Sequence, residues 1–205
     1  MPITTLDELF EHNLKDIYWA EQRLVEQLDE MAGEATDREA KKMFQQHKKE
    51  TQGQIKRLDK VFKTLGLKPE GQPCPGMEGL IKEKKSFAKE KPSEDILGFY
   101  NLHAAQKVER YEITSYEGLI EAAQHMGMDE AVDLLQQNLD EEERTLNLLK
   151  QLASDYEVEQ EGDEDTEEEE EEENVSTTGG LVPKAGVLAQ SAAPTAMAPA
   201  AAAWP

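Results

Sequence analysis

The sequence predicts an all-α fold, a four-helix bundle of two antiparallel helical hairpins connected by a long crossover that contains a short helix. Three observations support this prediction. Apolar residues recur at alternating spacings of three and four along four long segments, which is the period of one helix face. Residues that typically start and stop helices bound these segments, and the middle connection is much longer than the other two. No strand pattern competes with this interpretation.

Start and stop signals place the boundaries of the four long helices. Thr5 and Thr36 each precede a glutamate by three residues, the capping-box pattern in which a hydroxyl and a carboxylate bind free amides at a helix start. Ser93 and Asp129 mark the two later starts. The stop signals are Gly33, Gly66 and Gly127. The predicted helices are 6–32, 37–65, 94–125 and 129–155.

The lengths of the connections determine the topology. Helices one and two, and likewise three and four, are joined by only a few residues, so each pair must pack as an antiparallel hairpin. The connection between the hairpins, 66–93, is long enough to travel the full bundle and contains a short predicted helix at 77–89. A long middle crossover is the connectivity of ferritin-like bundles.

The net charge of -22 is distributed unevenly along the chain. Residues 155–173 include 14 acidic residues and no basic one, and a stretch rich in alanine and proline follows. Such a composition has little apolar surface to bury, so we expect a bundle domain at 1–156 and a disordered tail at 157–205. The acidic balance argues against nucleic-acid binding, which requires a basic surface.

Cysteine usage and hydropathy indicate the expected location. A single cysteine excludes a disulfide framework within the chain and favours a reducing, cytoplasmic setting. The N-terminus lacks the apolar run of a signal peptide, and no apolar stretch approaches the length of a membrane span. We therefore expect a cytoplasmic protein that does not contact membranes.

Acidic side chains interrupt the apolar face of every long helix near its middle. The predicted acidic layer comprises Glu21, His47, Glu50, Glu109, Glu112 and Glu142. Five of these six occupy seam positions, whereas Glu50 lies about 60° from His47 around helix two. No lysine or arginine occupies the seams to neutralise the layer. Buried carboxylates that repel one another cost several kcal/mol each unless they are protonated or bound to a cation.

Three hypotheses from different classes account for the acidic layer. The first is a carboxylate-bridged pair of iron or manganese ions that acts on oxygen or peroxide; affinity alone leaves zinc open. The second is metal binding for sequestration, and the third is a metal-free stress or interaction module whose acids stay protonated. A lone buried glutamate is most often a satisfied polar group, but a carboxylate near the middle of each of the four long helices favours metal. Whether the protein is an enzyme stays open.

Two adjacent glutamates, Glu141 and Glu142, are candidates for the acidic position on helix four. A weak internal repeat aligns "QQHKKE" with "QQNLDE", and the spacing of 29 residues from Glu21 to Glu50 recurs from Glu112 to Glu141. The apolar stripe of helix four instead continues through Glu142, and Glu141 lies 100° away toward its flank. We prefer Glu142, because burial decides which side chain points inward.

Five segments resemble a known family. The segments "LKDIYWAEQRL", "HKKETQGQIKRL", "CPGMEGLI", "AAQKVERYEITSYEGL" and "LLQQNLDEEE" are similar to those of the YciE/YciF-type ferritin-like family, over about residues 4–155. The resemblance implies a ferritin-like four-helix domain, a homodimer, a link to bacterial stress responses and a site for a metal pair.

The wider ferritin-like pattern implies a ligand set that this sequence matches only in part. The glutamates of that pattern correspond to Glu21, Glu50, Glu112 and Glu142. Its two histidines have no counterpart, because Gly53 and Thr145 stand at their places. His47 lies one turn earlier than the expected histidine, and Glu109 adds a second acid on helix three.

Overall fold

The computed structural model describes residues 2–158, which form five α-helices. The helices are α1 Leu6–Glu34, α2 Arg38–Thr64, α3 Pro75–Ala88, α4 Glu94–His125 and α5 Asp129–Asp155. The all-α prediction is confirmed, and every boundary lies within two residues of its predicted position. The predicted tail, 157–205, lies outside the described residues apart from its first two. Within the described part of the chain, no helix is long and apolar enough to cross a membrane.

Helix packing follows the predicted topology. The hairpin partners α1 and α2 pack together, as do α4 and α5, and the hairpins meet where α2 packs on α5 and α1 packs on α4. The short helix α3 lies on the crossover and packs against α4. The four long helices therefore enclose one interior, with α3 on the outside.

Capping residues explain most of the helix boundaries, and two boundaries differ from the prediction. The capping box at Thr5 forms as predicted, with both reciprocal hydrogen bonds to Glu8. The start of α2 is capped by Asp37 rather than Thr36, because the Asp37 carboxylate accepts the Ala40 amide at 2.6 Å. Helix α1 also continues past Gly33 to Glu34.

Left-handed backbone ends two helices. Gly66 follows α2 with φ of +70°, and Gly127 follows α4 with φ of +69°. Glycine adopts this conformation without the steric penalty that a side chain imposes. Both predicted glycine stops at these positions are confirmed.

The apolar core consists of two clusters, one on each side of the buried acids. The large cluster joins the start of α1 and the end of α2 to the end of α4 and the start of α5, and includes Phe10, Leu14, Ile17, Leu58, Phe62, Leu119 and Leu135. The small cluster occupies the other end and includes Leu24, Leu28, Met31, Phe44, Leu102 and Leu149. Polar residues separate the clusters on every long helix.

A buried ion pair fixes α3 to the small-cluster end of the bundle. The Lys84 ammonium donates to Glu34 Oε2 at 2.8 Å, and the Asn101 amide donates to the same oxygen at 3.0 Å. Lys84 is almost fully buried, whereas the Glu34 side chain is 33% exposed. Loss of the Glu34 carboxylate would therefore leave a buried charge without a partner, whereas loss of the Lys84 ammonium would leave a carboxylate that water can still solvate.

This asymmetry predicts unequal costs for removing the two partners. A Glu34→Ala variant should lose about 2 to 3 kcal/mol of unfolding free energy, because it leaves a buried ammonium unpaired. A Lys84→Met variant keeps an apolar stem and should lose less than about 1 kcal/mol. Urea denaturation of both variants measures the difference. Equal losses would show that the ion pair does not anchor α3 in this way.

Candidate metal centre

Four side chains from three helices converge at the middle of the bundle. His47 of α2, Glu109 and Glu112 of α4, and Glu142 of α5 each offer one ligand atom, and these atoms all lie within 4.8 Å of one another. Every one of these residues is at most 2% exposed. Donor atoms bound to one ion at about 2 Å are separated by distances in this range. We call these four residues the central cluster.

Glu21 lies beside the central cluster on α1 and is held by its own hydrogen bonds. The Tyr116 hydroxyl donates to Glu21 Oε1, and the Asn138 amide donates to the Tyr116 hydroxyl at 2.9 Å. All three residues are fully buried. Glu21 is thus oriented by α4 and α5, with its second carboxyl oxygen free of hydrogen bonds to the described residues.

Glu50 is the predicted residue that the structure places at the margin. Its side chain is half-buried and accepts a hydrogen bond from the Gln46 amide at 3.2 Å. It lines a surface cavity of about 390 Å³ between α2 and α5, which also reaches His47 and Thr145. Because Glu50 is rotated away from the helix-two seam, its side chain lies at the edge of the acidic layer and not inside it.

The two adjacent acids of α5 point to different surroundings. Glu142 is fully buried in the central cluster, whereas Glu141 is partly exposed and accepts a hydrogen bond from the Arg57 guanidinium. The same guanidinium donates to Asn138. The predicted burial of Glu142 rather than Glu141 is confirmed.

Sequence reasoning missed Arg57 and Asn138. Asn138 lies one turn before Glu142, so its seam spacing could have identified it as a polar member of the layer. Arg57 gave no such signal, because its role depends on how α2 packs against α5. It approaches Gly53, where an added Cβ would lie 3.8 Å from its Nη1. Arg57 therefore occupies space next to the position where the wider pattern has a histidine.

Burial and mutual repulsion raise the pKa values of the four fully buried glutamates. Burial is the main cause of the raised pKa values of Glu21, Glu112 and Glu142, and the negative charges of neighbouring glutamates add to it. Burial, with the charges of Glu21 and Glu50, raises the pKa of Glu109 to about 8. Without a cation, the layer therefore holds protons near neutral pH.

Buried atoms without hydrogen bonds test whether these residues suit a metal. Both carboxyl oxygens of Glu112 and of Glu142 are buried and have no hydrogen-bond partner among residues 2–158, and the same holds for His47 Nδ1. His47 Nε2 lies 3.1 Å from Glu109 Oε1 without the alignment of a hydrogen bond. Leaving such groups unsatisfied is costly. Carboxylates with one imidazole are ligands that iron and manganese accept, so the residues fit these ions.

Other side chains with potential chemistry lie outside the central cluster. The buried Cys74 caps α3, and its sulfur lies 2.9 Å from the Tyr111 hydroxyl, which donates to Asp16 at 2.6 Å. Tyr18 donates to Asp59. The remaining histidines are exposed, at His12, His103 and His125. Tyr18 and Tyr111 each donate a hydrogen bond to an aspartate, so both hydroxyls are satisfied away from the central cluster.

Comparison with known proteins gives consistent matches over the helical region. Residues 5–162 match the family described as a domain of unknown function, DUF892. Protein YciF of Escherichia coli (strain K12) is 36% identical over 154 residues, which cover 75% of this chain and 93% of YciF.

Two solved structures share the fold. The crystal structure of the E. coli stress protein YciF matches with a TM-score of 0.72 at 35% identity, covering 75% of this chain and 98% of that chain. YcfI from Rhodopseudomonas palustris matches with a TM-score of 0.71 at 42% identity, covering 72% and 94% respectively. The family match spans all five helices and therefore the whole central cluster.

Proposed function

This chain belongs to the DUF892 family of YciF-like proteins, and from that premise we propose that it binds a pair of iron or manganese ions and acts on oxygen or peroxide during stress. The observation that supports metal binding is the central cluster, with four buried ligand atoms within 4.8 Å of one another. The stress context comes from the E. coli relative, which is called a stress protein.

The ligands would come from all four long helices. His47, Glu109, Glu112 and Glu142 would hold the first ion, and Glu21 with Glu50 would complete the set for a second. When bound, such an ion pair supplies the electrons for reduction of oxygen or peroxide. The protein's own contribution is to hold the ligands in place.

A hydrogen-bonded chain positions the Glu21 ligand. Arg57 donates to Asn138, Asn138 donates to Tyr116, and Tyr116 donates to Glu21. Each donor fixes the orientation of the next side chain, so the Glu21 carboxylate has one preferred rotamer. Mutation of hydrogen-bond partners that orient a metal ligand typically lowers metal affinity by about 10- to 100-fold. The two apolar clusters cover the layer toward both ends of the bundle, and the surface cavity beside His47 and Glu50 gives access from the side.

A metal-free function is the second candidate. Raised pKa values allow the acids to stay protonated and uncharged, so the fold can exist without an ion. In that case the protein would be a dimeric stress or interaction module, or would hold metal only for sequestration. Sequestration requires many ions per chain or an assembled cage, which distinguishes it from a dimetal site.

Metal stoichiometry together with native mass tests these alternatives. Protein purified without chelator should contain close to two iron or manganese ions per chain and should have the mass of a dimer. Stripping with chelator and reloading with Fe²⁺, Mn²⁺ or Zn²⁺ separately then identifies the preferred ion, and peroxide or oxygen consumption measures activity. Absence of bound metal in all preparations would favour the interaction module, and many ions per chain would favour sequestration.

A further inference from the structure

A small space beneath α3 reaches the central cluster. Its volume is about 30 Å³, it is partly open to the surface, and residues of α1, α3 and α4 line it. Glu109 of the central cluster lines it from α4, and Gln27 lines it from α1. Gln27 also lines a surface cleft between α1 and α3. Gln27 therefore borders the surface cleft on one side and the space beside Glu109 on the other.

Gln27 and Glu109 each carry a buried oxygen without a partner. Gln27 is 7% exposed and Glu109 is 1% exposed. Neither Gln27 Oε1 nor Glu109 Oε2 has a hydrogen-bond partner among residues 2–158. Because an amide oxygen and a carboxylate oxygen are both acceptors, neither can satisfy the other, and a buried acceptor without a donor is costly. The space therefore requires a small molecule that can donate hydrogen bonds to both.

Water meets this requirement. A buried water needs about 10 to 15 Å³ of probe-occupied volume and two to four polar partners, so the space has room for one or two waters. Water can donate to both oxygens, and it can accept from Glu109 when that carboxyl group is protonated. The apolar wall residues Leu24, Leu28 and Val108 offer no competing hydrogen bond. A water molecule in this space would therefore be oriented by Gln27 and Glu109.

We propose that a water molecule bound beneath α3 links Gln27 to Glu109 and holds the Glu109 carboxylate in the orientation that metal binding requires. Glu109 Oε1 lies 3.1 Å from His47 Nε2 and so faces the central cluster, whereas Oε2 is the oxygen without a partner. The water fixes Oε2 and leaves Oε1 available to an ion. Gln27 is then a positioning residue that acts on Glu109 through the water. This positioning role rests on the proposed function, whereas the water site does not.

Magnetic relaxation dispersion of the water oxygen nucleus tests the water site, because it counts buried waters with long residence times. In metal-free, full-length protein, Gln27→Met keeps the length of the side chain but removes the amide, so the variant should lose one such water. The matched control is Gln22→Met, which changes an exposed glutamine on the same helix and should keep the wild-type count. Equal counts in folded Gln27→Met and wild type would overturn the water site. Because no metal is present, this result does not depend on the proposed function.

Titration with Mn²⁺ tests the positioning role. Gln27→Met should bind Mn²⁺ about tenfold more weakly than wild type, as expected when a group that orients a ligand is lost. The electron paramagnetic resonance spectrum of the remaining bound Mn²⁺ should also change, because a reoriented carboxylate alters the symmetry of the site. A Leu28→Val variant loosens the packing of the same wall but keeps the amide, so it should retain the wild-type spectrum and affinity.

Two results would overturn the positioning role. The first is wild-type Mn²⁺ affinity in folded Gln27→Met protein that has lost the water. The second is an equal loss of affinity in Leu28→Val, which would show that packing and not the amide matters. If wild-type protein binds neither Mn²⁺ nor Fe²⁺, the proposed function and the positioning role both fail, and the water count in metal-free protein still decides the water site.

Discussion

A Glu142→Gln variant is expected to bind metal at least about tenfold more weakly than wild type while keeping its helical fold. Glutamine preserves the shape of the side chain but removes the charge, and Glu142 is a fully buried member of the central cluster. The neutral amide cannot acquire the charge that burial disfavours, so the metal-free variant should be no less stable than wild type. Elemental analysis after reloading, with circular dichroism as the check on folding, measures both effects.

The matched control is Glu141→Gln, one residue earlier on the same helix. Glu141 binds Arg57 at the partly exposed flank of α5 and lies outside the central cluster. This substitution should change metal affinity by less than about threefold, since a flank ion pair contributes little to a buried site. Similar metal content in the two variants and wild type would remove Glu142 from the ligand set.

Metal-free protein should become less stable as pH rises from about 5 to 8. The pKa of Glu109 is about 8 in the folded protein against 4.5 for an ordinary glutamate. Between these values the unfolded chain has released the proton and the folded chain keeps it, so unfolding becomes more favourable with rising pH. The contribution of Glu109 is complete below the lower value and is lost above the higher one. For Glu109 alone this amounts to on the order of 5 kcal/mol.

Bound metal should reverse this trend. The ion requires deprotonated ligands, so its affinity and its stabilising effect increase with pH. The groups that face Glu109 are the other members of the layer, at Glu21, His47, Glu50, Glu112 and Glu142. Thermal melts of metal-free and metal-loaded protein across this pH range measure both slopes. Melting curves that coincide at every pH would contradict the metal assignment and favour the interaction module.

The helices could be predicted closely because their signals are local. The capping residue Thr5 and the glycines Gly66 and Gly127 act within one helical turn, and the structure confirms all three. The error at Thr36 has a local cause as well. Two neighbouring residues can both cap a helix, and the stronger acceptor, Asp37, does so here.

Helical periodicity also predicted most of the buried layer. A position on an apolar seam is buried whatever its side chain, so Glu21, Glu112 and Glu142 could be identified from spacing alone. The same spacing placed Glu50 off the seam, and the structure places it at the margin. The contacts of Arg57 could not be predicted, because a pairing between residues 84 positions apart depends on how the two hairpins dock.

The division of the core into two clusters has a consequence for how this domain unfolds. In an ordinary bundle, continuous apolar contact makes all turns of the helices melt together. Here a layer of acids that are neutral only when protonated or neutralised by a cation separates a large apolar cluster from a small one. Cooperativity between the two ends is transmitted through that layer. We therefore expect conditions that charge the acids to weaken the coupling between the two ends of the bundle, and the end with the smaller cluster to open first.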